Sequence, residues 1–185
     1  MTRFNQVISL FLVSMVIAAS ASHHHHHNKT ETTDVAPNVR QSWNIPATKS
    51  LVQEFEGLRL TAYRDSVGVL TIGWGHTGSD VHAGMTITHA QAETLLTNDL
   101  QKFANCVSSY LKVALNHNQV GALVSFSFNL GCGALHGSTL LKRLNAKENP
   151  NTVASQEFPK WVYAGGKKLE GLVRRRAAEV KLFKS

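Results

Sequence analysis

Two carboxylates and a hydroxyl carry the chemistry this sequence could perform. Glu56, Asp65 and Thr71 fall within residues 54–77, EFEGLRLTAYRDSVGVLTIGWGHT. Cleaving a glycosidic bond needs an acid that protonates the leaving oxygen. It also needs a second carboxylate that activates water or stabilises an oxocarbenium-like centre. Glu56 has Phe55 and Leu58 for neighbours, so partial burial would favour its protonated form, as a general acid requires. Asp65 stands in a polar turn beside Arg64 and is expected to stay ionised. Thr71 could hold a water next to Asp65. The same spacing also fits a plainer reading, with Glu56 salt-bridged on its own helix and Asp65 an ordinary turn residue.

The elements around this stretch decide whether the carboxylates can meet. Leu51, Val52, Phe55 and Leu58 recur at helical spacing behind Thr48, a suitable N-cap, and Gly57 is a natural stop. Glu56 and Asp65 therefore cannot share one helix face. Residues 60–64 and 69–72 read as strands joined by a turn at 65–68. A helix end followed by a folded-back strand lets the two carboxylates face each other across a cleft. Gly73, Gly75 and Gly78 mark a tight loop.

The rest of the domain reads as helices. Thr88 with Gln91 forms a capping box opening a helix to about residue 107. Asn116 or Asn118 caps a second long helix, 119–130, whose sequence QVGALVSFSFNL is apolar on most faces and suits a buried centre. Gly131 and Gly133 end it. Ser138 caps a short helix through 144, and 147–151 reads as a loop. A further helix carries Phe158 and Trp161 and stops at Gly165-Gly166, and the last helix spans 172–183. Arg174, Arg175 and Arg176 on that helix read as a solvated basic face or as an attraction for anionic polymer. The fold class is α+β: a mainly helical domain with a small antiparallel sheet lobe.

The N-terminus has a different character. Arg3 precedes an apolar run at 7–18, and Ala19-Ser20-Ala21 has the form of a signal-peptidase site. Residues 1–21 are read as a signal peptide or, alternatively, a signal-anchor, marginal against the ~20 apolar residues a stable span needs. Residues 22–46 are read as a flexible polar linker, and 47–185 as the catalytic domain. The five histidines at 23–27 fit a metal-binding tract, an engineered tag or a neutral linker. Asn28-Lys29-Thr30 fits a glycosylation sequon. The formal net charge of +7 suggests a polyanionic partner, but no interleaved arginine–aromatic run favours nucleic acid.

Glu56, Asp65 and Thr71, with the residues that embed them, closely resemble the catalytic signature of bacteriophage-type lysozymes, glycoside hydrolase family 24. NHNQVGALVSFSFNLGCGAL, STLLKRLN and WVYAGGKKLEGLVRRRAAE resemble later blocks of the lambdoid-phage endolysin branch. The likeness runs from about residue 49 to 183. It implies a lysozyme-like fold with a cleft between lobes and an N-acetylmuramidase acting on peptidoglycan. Glu56 would be the general acid, Asp65 the second carboxylate, and Thr71 would position the water or help stabilise the transition state. His76 and Asp99 would form a structural salt bridge. Asn129 would face the cleft, for sugar binding or as a helix-end cap, and Tyr63 would line the cleft or pack in the sheet. One arginine of the 174–176 run would reach a structural carboxylate. Trp161 reads as core. Cys106 and Cys132, the only cysteines, permit a disulfide between adjacent helices in an exported chain, with two buried thiols as the alternative. The resemblance implies no metal or organic cofactor, and the chain is expected to be a monomer.

Three rival readings remain. A lytic transglycosylase needs only the acid and makes an anhydro product. A cationic killer would act on membranes through the last helix. A wall-binding module would lack catalysis.

Overall fold

The computed structural model describes residues 41–185. The expected leader, most of the linker, the histidine run and the Asn28 sequon lie outside the described residues.

The first helix, α1 (Ile45–Glu56), starts earlier than the sequence suggested. Asn44, not Thr48, is its N-cap and accepts from the Ala47 amide. Pro46 fits this first turn because its missing N–H has no helical partner there. Thr48 is instead fully buried within the helix. The linker expected to run to residue 46 also ends sooner. Trp43 is buried in the core, and Gln41 bonds Val113 O and the Leu115 amide through its side chain.

Gly57 terminates α1 with a φ of 69°, a backbone region that glycine enters at little cost. The chain then turns into β1 (Arg59–Arg64), β2 (Leu70–Gly73) and the short β3 (His76–Thr77). They form an antiparallel sheet in the order β1-β2-β3. Tyr63 pairs with Thr71, Arg64 with Leu70, and Ile72 with His76. The outer edge of β1 is covered by residues 85–87. Ala62 N donates to Met85 O at 2.8 Å, and Ile87 N donates to Leu60 O at 2.9 Å.

Helix α2 (His89–Tyr110) opens on the Thr88–Gln91 capping box, and α3 (His117–Leu130) on an equivalent box from Asn116. Every residue of α3 from Val120 to Phe128 is buried, as expected of a helix apolar on most faces. It packs against α1, α2, the short α4 (Cys132–His136) and the last helix, α7 (Glu170–Phe183). Between these lie α5 (Thr139–Asn145) and α6 (Pro150–Glu157).

Two late stretches differ from the sequence reading. Asn149 caps α6 and Pro150 sits in its first turn, so the expected loop at 147–151 is already turning into helix. Phe158 lies in a 3₁₀ turn after α6, because Pro159 cannot continue the α-helical hydrogen bonding. Gly165 and Gly166 then turn a two-stranded hairpin, β4 (Tyr163–Ala164) with β5 (Lys167–Lys168). Trp161 packs edge-on to Phe126 at 5.3 Å, on the core as expected.

Candidate active site

At the candidate site the end of α1 meets the middle of α7, and the β1–β2 turn that follows α1 carries Asp65. Gly57 fixes Glu56 as the last residue of α1. Its side chain is only 6% exposed, and its Oε1 accepts a charge-assisted hydrogen bond from Arg175 Nη1. The expected burial is present, but the surroundings are not simply apolar. A guanidinium meets the carboxylate and also lies over the Phe55 ring at 5.9 Å.

Asp65 begins the β1–β2 turn. Its Oδ1 accepts from the amides of Val67 at 3.0 Å and Val69 at 2.8 Å. Its own amide donates to Val69 O, and Arg64 Nη1 donates to Gly68 O. One carboxylate oxygen is thus used to hold the turn. Thr71 is fully buried. Its hydroxyl donates to Val69 O at 3.1 Å, so Asp65 and Thr71 are tied to the same residue.

Tyr63 stands across from Thr71 and is half-buried, with Arg59 over its ring at 5.0 Å. Burial raises its phenol above the ordinary value. The Arg59 charge opposes this, and Glu56 and Asp65 both add to it.

Asn129 lies at the last turn of α3, and its Oδ1 accepts from Arg176 Nη2 at 2.5 Å. Arg175 and Arg176 correct the sequence reading of a solvated basic face. Both are buried, at 3% and 1% exposure, and only Arg174 of the three is exposed. They point inward because α7 packs on α3, and their charges are met by Glu56 and by Glu179, which is fully buried. Glu179 was missed in the sequence. Its spacing of four from Arg175 and three from Arg176 is the available signal, since both intervals place side chains on one helix face.

His76 and Asp99 do meet. His76 Nδ1 lies 2.6 Å from Asp99 Oδ2, and Nε2 lies 3.1 Å from Asp80 Oδ2. Asp80 was not anticipated as the second partner. Lys102 caps the cluster, 3.0 Å from Asp99 Oδ1. These contacts pin β3 and the following loop to α2. Cys106 on α2 and Cys132 on α4 are bonded to each other. Among the described residues, no group of three or more His, Cys, Asp and Glu side chains is arranged to hold a metal ion.

Fold and site together define a lysozyme-like domain, helical with a small antiparallel sheet. The sequence model of the phage lysozyme family matches residues 53–179, and the chain belongs to that family. An endolysin of Bacillus phage PZA is 47% identical over 138 residues, covering 74% of this chain and 53% of the relative. The chain thus spans about half the length of that relative. A SAR-endolysin of bacteriophage PS119 is 42% identical over 124 residues, covering 67% of this chain and 73% of the relative. Among solved structures, the muramidase domain of SpmX from Asticaccaulis excentricus superposes with a TM-score of 0.71 at 35% identity. That match covers 78% of this chain and 99% of the other.

Proposed function

We propose that this chain is an N-acetylmuramidase. It hydrolyses the β-1,4 bond between N-acetylmuramic acid and N-acetylglucosamine in peptidoglycan and so lyses bacterial walls. One observation carries the reading: Glu56 ends α1 with its side chain buried against Arg175, in a chain of the phage lysozyme family.

In the proposed reaction, protonated Glu56 gives its proton to the bridging oxygen as the bond from that oxygen to the muramic acid C1 breaks. Charge develops at C1 and its ring oxygen, and Asp65 lies ready to stabilise it or to take a proton from the attacking water. Water supplies the hydroxyl at C1, and the glucosamine leaves with the proton from Glu56. Thr71 has its hydroxyl hydrogen committed to Val69 O. Because Thr71 is fully buried, it serves the reaction by holding, together with Asp65, the turn at Val69. Asn129, held through Oδ1 by Arg176, keeps its Nδ2 donors for a sugar acceptor. Tyr63 packs beside the reacting bond. His76, Asp99 and the Cys106–Cys132 bridge hold the frame.

The chain acts as a monomer outside the cytoplasm. Residues 1–21 direct its export and are either cleaved or kept as a membrane anchor, and 42% identity to a relative named SAR-endolysin supports this reading. The test of function uses purified, membrane-free peptidoglycan, with wild type beside Glu56→Gln and mass analysis of the products. Reducing muropeptides from wild type and none from the variant are expected. Anhydro-muropeptides would instead make the chain a lytic transglycosylase. Full activity in Glu56→Gln would remove the acid assignment.

A further inference from the structure

Glu56 faces an opposing demand. A general acid must hold a proton before it reacts, yet a directly bonded guanidinium favours the carboxylate. The way Arg175 is shared addresses this demand. Its Nη1 bonds Glu56, its Nε lies 3.4 Å from Glu179 Oε1, and its Nη2 lies 3.4 Å from Ser125 O. Glu179 also accepts from Ser125 Oγ at 2.8 Å, which fixes that carboxylate against α3. Its other oxygen lies 3.1 Å from Arg176 Nε, in a charge contact without hydrogen-bond geometry.

We propose that Glu179 is a positioning residue for Glu56. It draws part of the charge of Arg175 to itself and offsets one of the two buried guanidinia, so that Glu56 is less strongly held as a carboxylate and can hold the proton it donates. This rests on the muramidase reading of Glu56. With Glu56 ionised, two carboxylates stand against Arg175 and Arg176; with Glu56 protonated, Glu179 is the one carboxylate that offsets the two guanidinia. From the sheet, Asp65 and the neutral Tyr63 also face the site, with Arg59 over the Tyr63 ring. From α3, the uncharged Ser125 and Asn129 reach the cluster, and Arg176 lies over the Phe126 ring at 5.1 Å. Removing the Glu179 charge would leave two guanidinia against one carboxylate. The excess positive charge would then hold Glu56 ionised at lower pH. Removing the Arg176 charge would do the reverse.

The experiment measures the pH dependence of peptidoglycan hydrolysis for wild type, Glu56→Gln, Glu179→Gln, Arg176→Gln and the double variant Glu179→Gln/Arg176→Gln. The alkaline limb, where the acid loses its proton, is expected to move down by about one pH unit in Glu179→Gln. It is expected to move up in Arg176→Gln and to return to the wild-type position in the double variant. A purely structural Glu179 would lower the height of the profile and leave the limb in place, which would overturn the inference. Two single variants moving in the same direction would also overturn it. If Glu179→Gln does not fold, Arg176→Gln decides: an upward shift supports the inference, and an unmoved limb sinks it. Activity retained in Glu56→Gln would overturn the acid assignment, and this inference with it.

Discussion

Glu56 and Arg175 stand 119 residues apart in the chain and are in direct contact, Oε1 to Nη1, with side chains only 6% and 4% exposed. This pair joins the first helix to the last across α3. A charge buried this deeply depends on its partner, because removing one member leaves the other desolvated and uncompensated. Replacing Arg175 with methionine keeps much of the volume and leaves Glu56 alone. Arg175→Met is expected to cost about 3–5 kcal/mol of stability in urea unfolding. Adding Glu56→Gln should recover part of that loss, since the stranded charge is then gone. A cost below about 1 kcal/mol, the scale of an exposed pair, would contradict a buried role.

The His76 cluster should give the protein a stability that depends on pH. Burial pulls the His76 imidazole down, but hydrogen bonds and charges from Asp99 and Asp80 outweigh it and raise it above its ordinary 6.5. A group raised on folding contributes fully below its unfolded value and loses that contribution as pH climbs through the folded one. Asp80, mainly through its hydrogen bond to His76, is held below its ordinary 3.8. Its contribution is present above 3.8 and fades as pH falls through the folded value. The clip is therefore strongest between these two values. The Tm difference between wild type and His76→Gln should be largest near pH 5 to 6 and should narrow above about 6.5. A difference that does not change with pH would rule this out.

These two clusters show what the sequence could and could not reveal. Glu56, Asp65 and Thr71 lie within one helix–hairpin unit, so Gly57 and the 65–68 turn were enough to suggest their arrangement. The capping boxes at Thr88 and Asn116 were equally local. The family resemblance implied that one arginine of 174–176 reaches a carboxylate, but which one, and that both Arg175 and Arg176 turn inward, was not legible. An arginine run looks solvated until the burial of α3 is known, and the carboxylate that receives Arg175 comes from the other end of the domain. Trp43 was lost in a polar tether for the same reason. Its burial depends on long-range contacts, such as Gln41 with the 113–115 segment, that periodicity does not carry.

Gly121 tests how closely α1 and α3 approach. A Cβ at this position would fall inside van der Waals contact of Thr48 Oγ1 and would touch the Asn44 backbone at 3.7 Å. The Thr48 hydroxyl is buried without a hydrogen-bond partner. Gly121→Ala improves helix propensity but forces the helices apart, and overpacking of this kind costs roughly 1–3 kcal/mol. Thr48→Ala in the same chain should relieve most of it, because it removes the obstructing atom. Equal destabilisation in single and double variants would show that the clash lies elsewhere.

The Cys106–Cys132 bridge can be separated from catalysis. It joins α2 to α4 over a sequence separation of 26 residues, with Cα atoms 6.3 Å apart. The enclosed segment contains all of α3, so the cross-link restrains the unfolded chain on both sides of the central helix. By the chain-entropy estimate, a loop of this size contributes about 3 kcal/mol. Cys106→Ser/Cys132→Ser should therefore unfold at clearly lower denaturant than wild type. The cysteines lie on α2 and α4, whereas Glu56, Asp65 and Arg175 lie on α1, the β1–β2 turn and α7, and α3 is held on its other faces by α1 and α7. Hydrolysis by the folded variant at 25 °C should thus match that of wild type. Alkylation of the native protein should add no mass until a reductant is supplied. Mass gained without reduction would exclude the bridge, and lost activity in a fully folded variant would mean that the bridge also shapes the site.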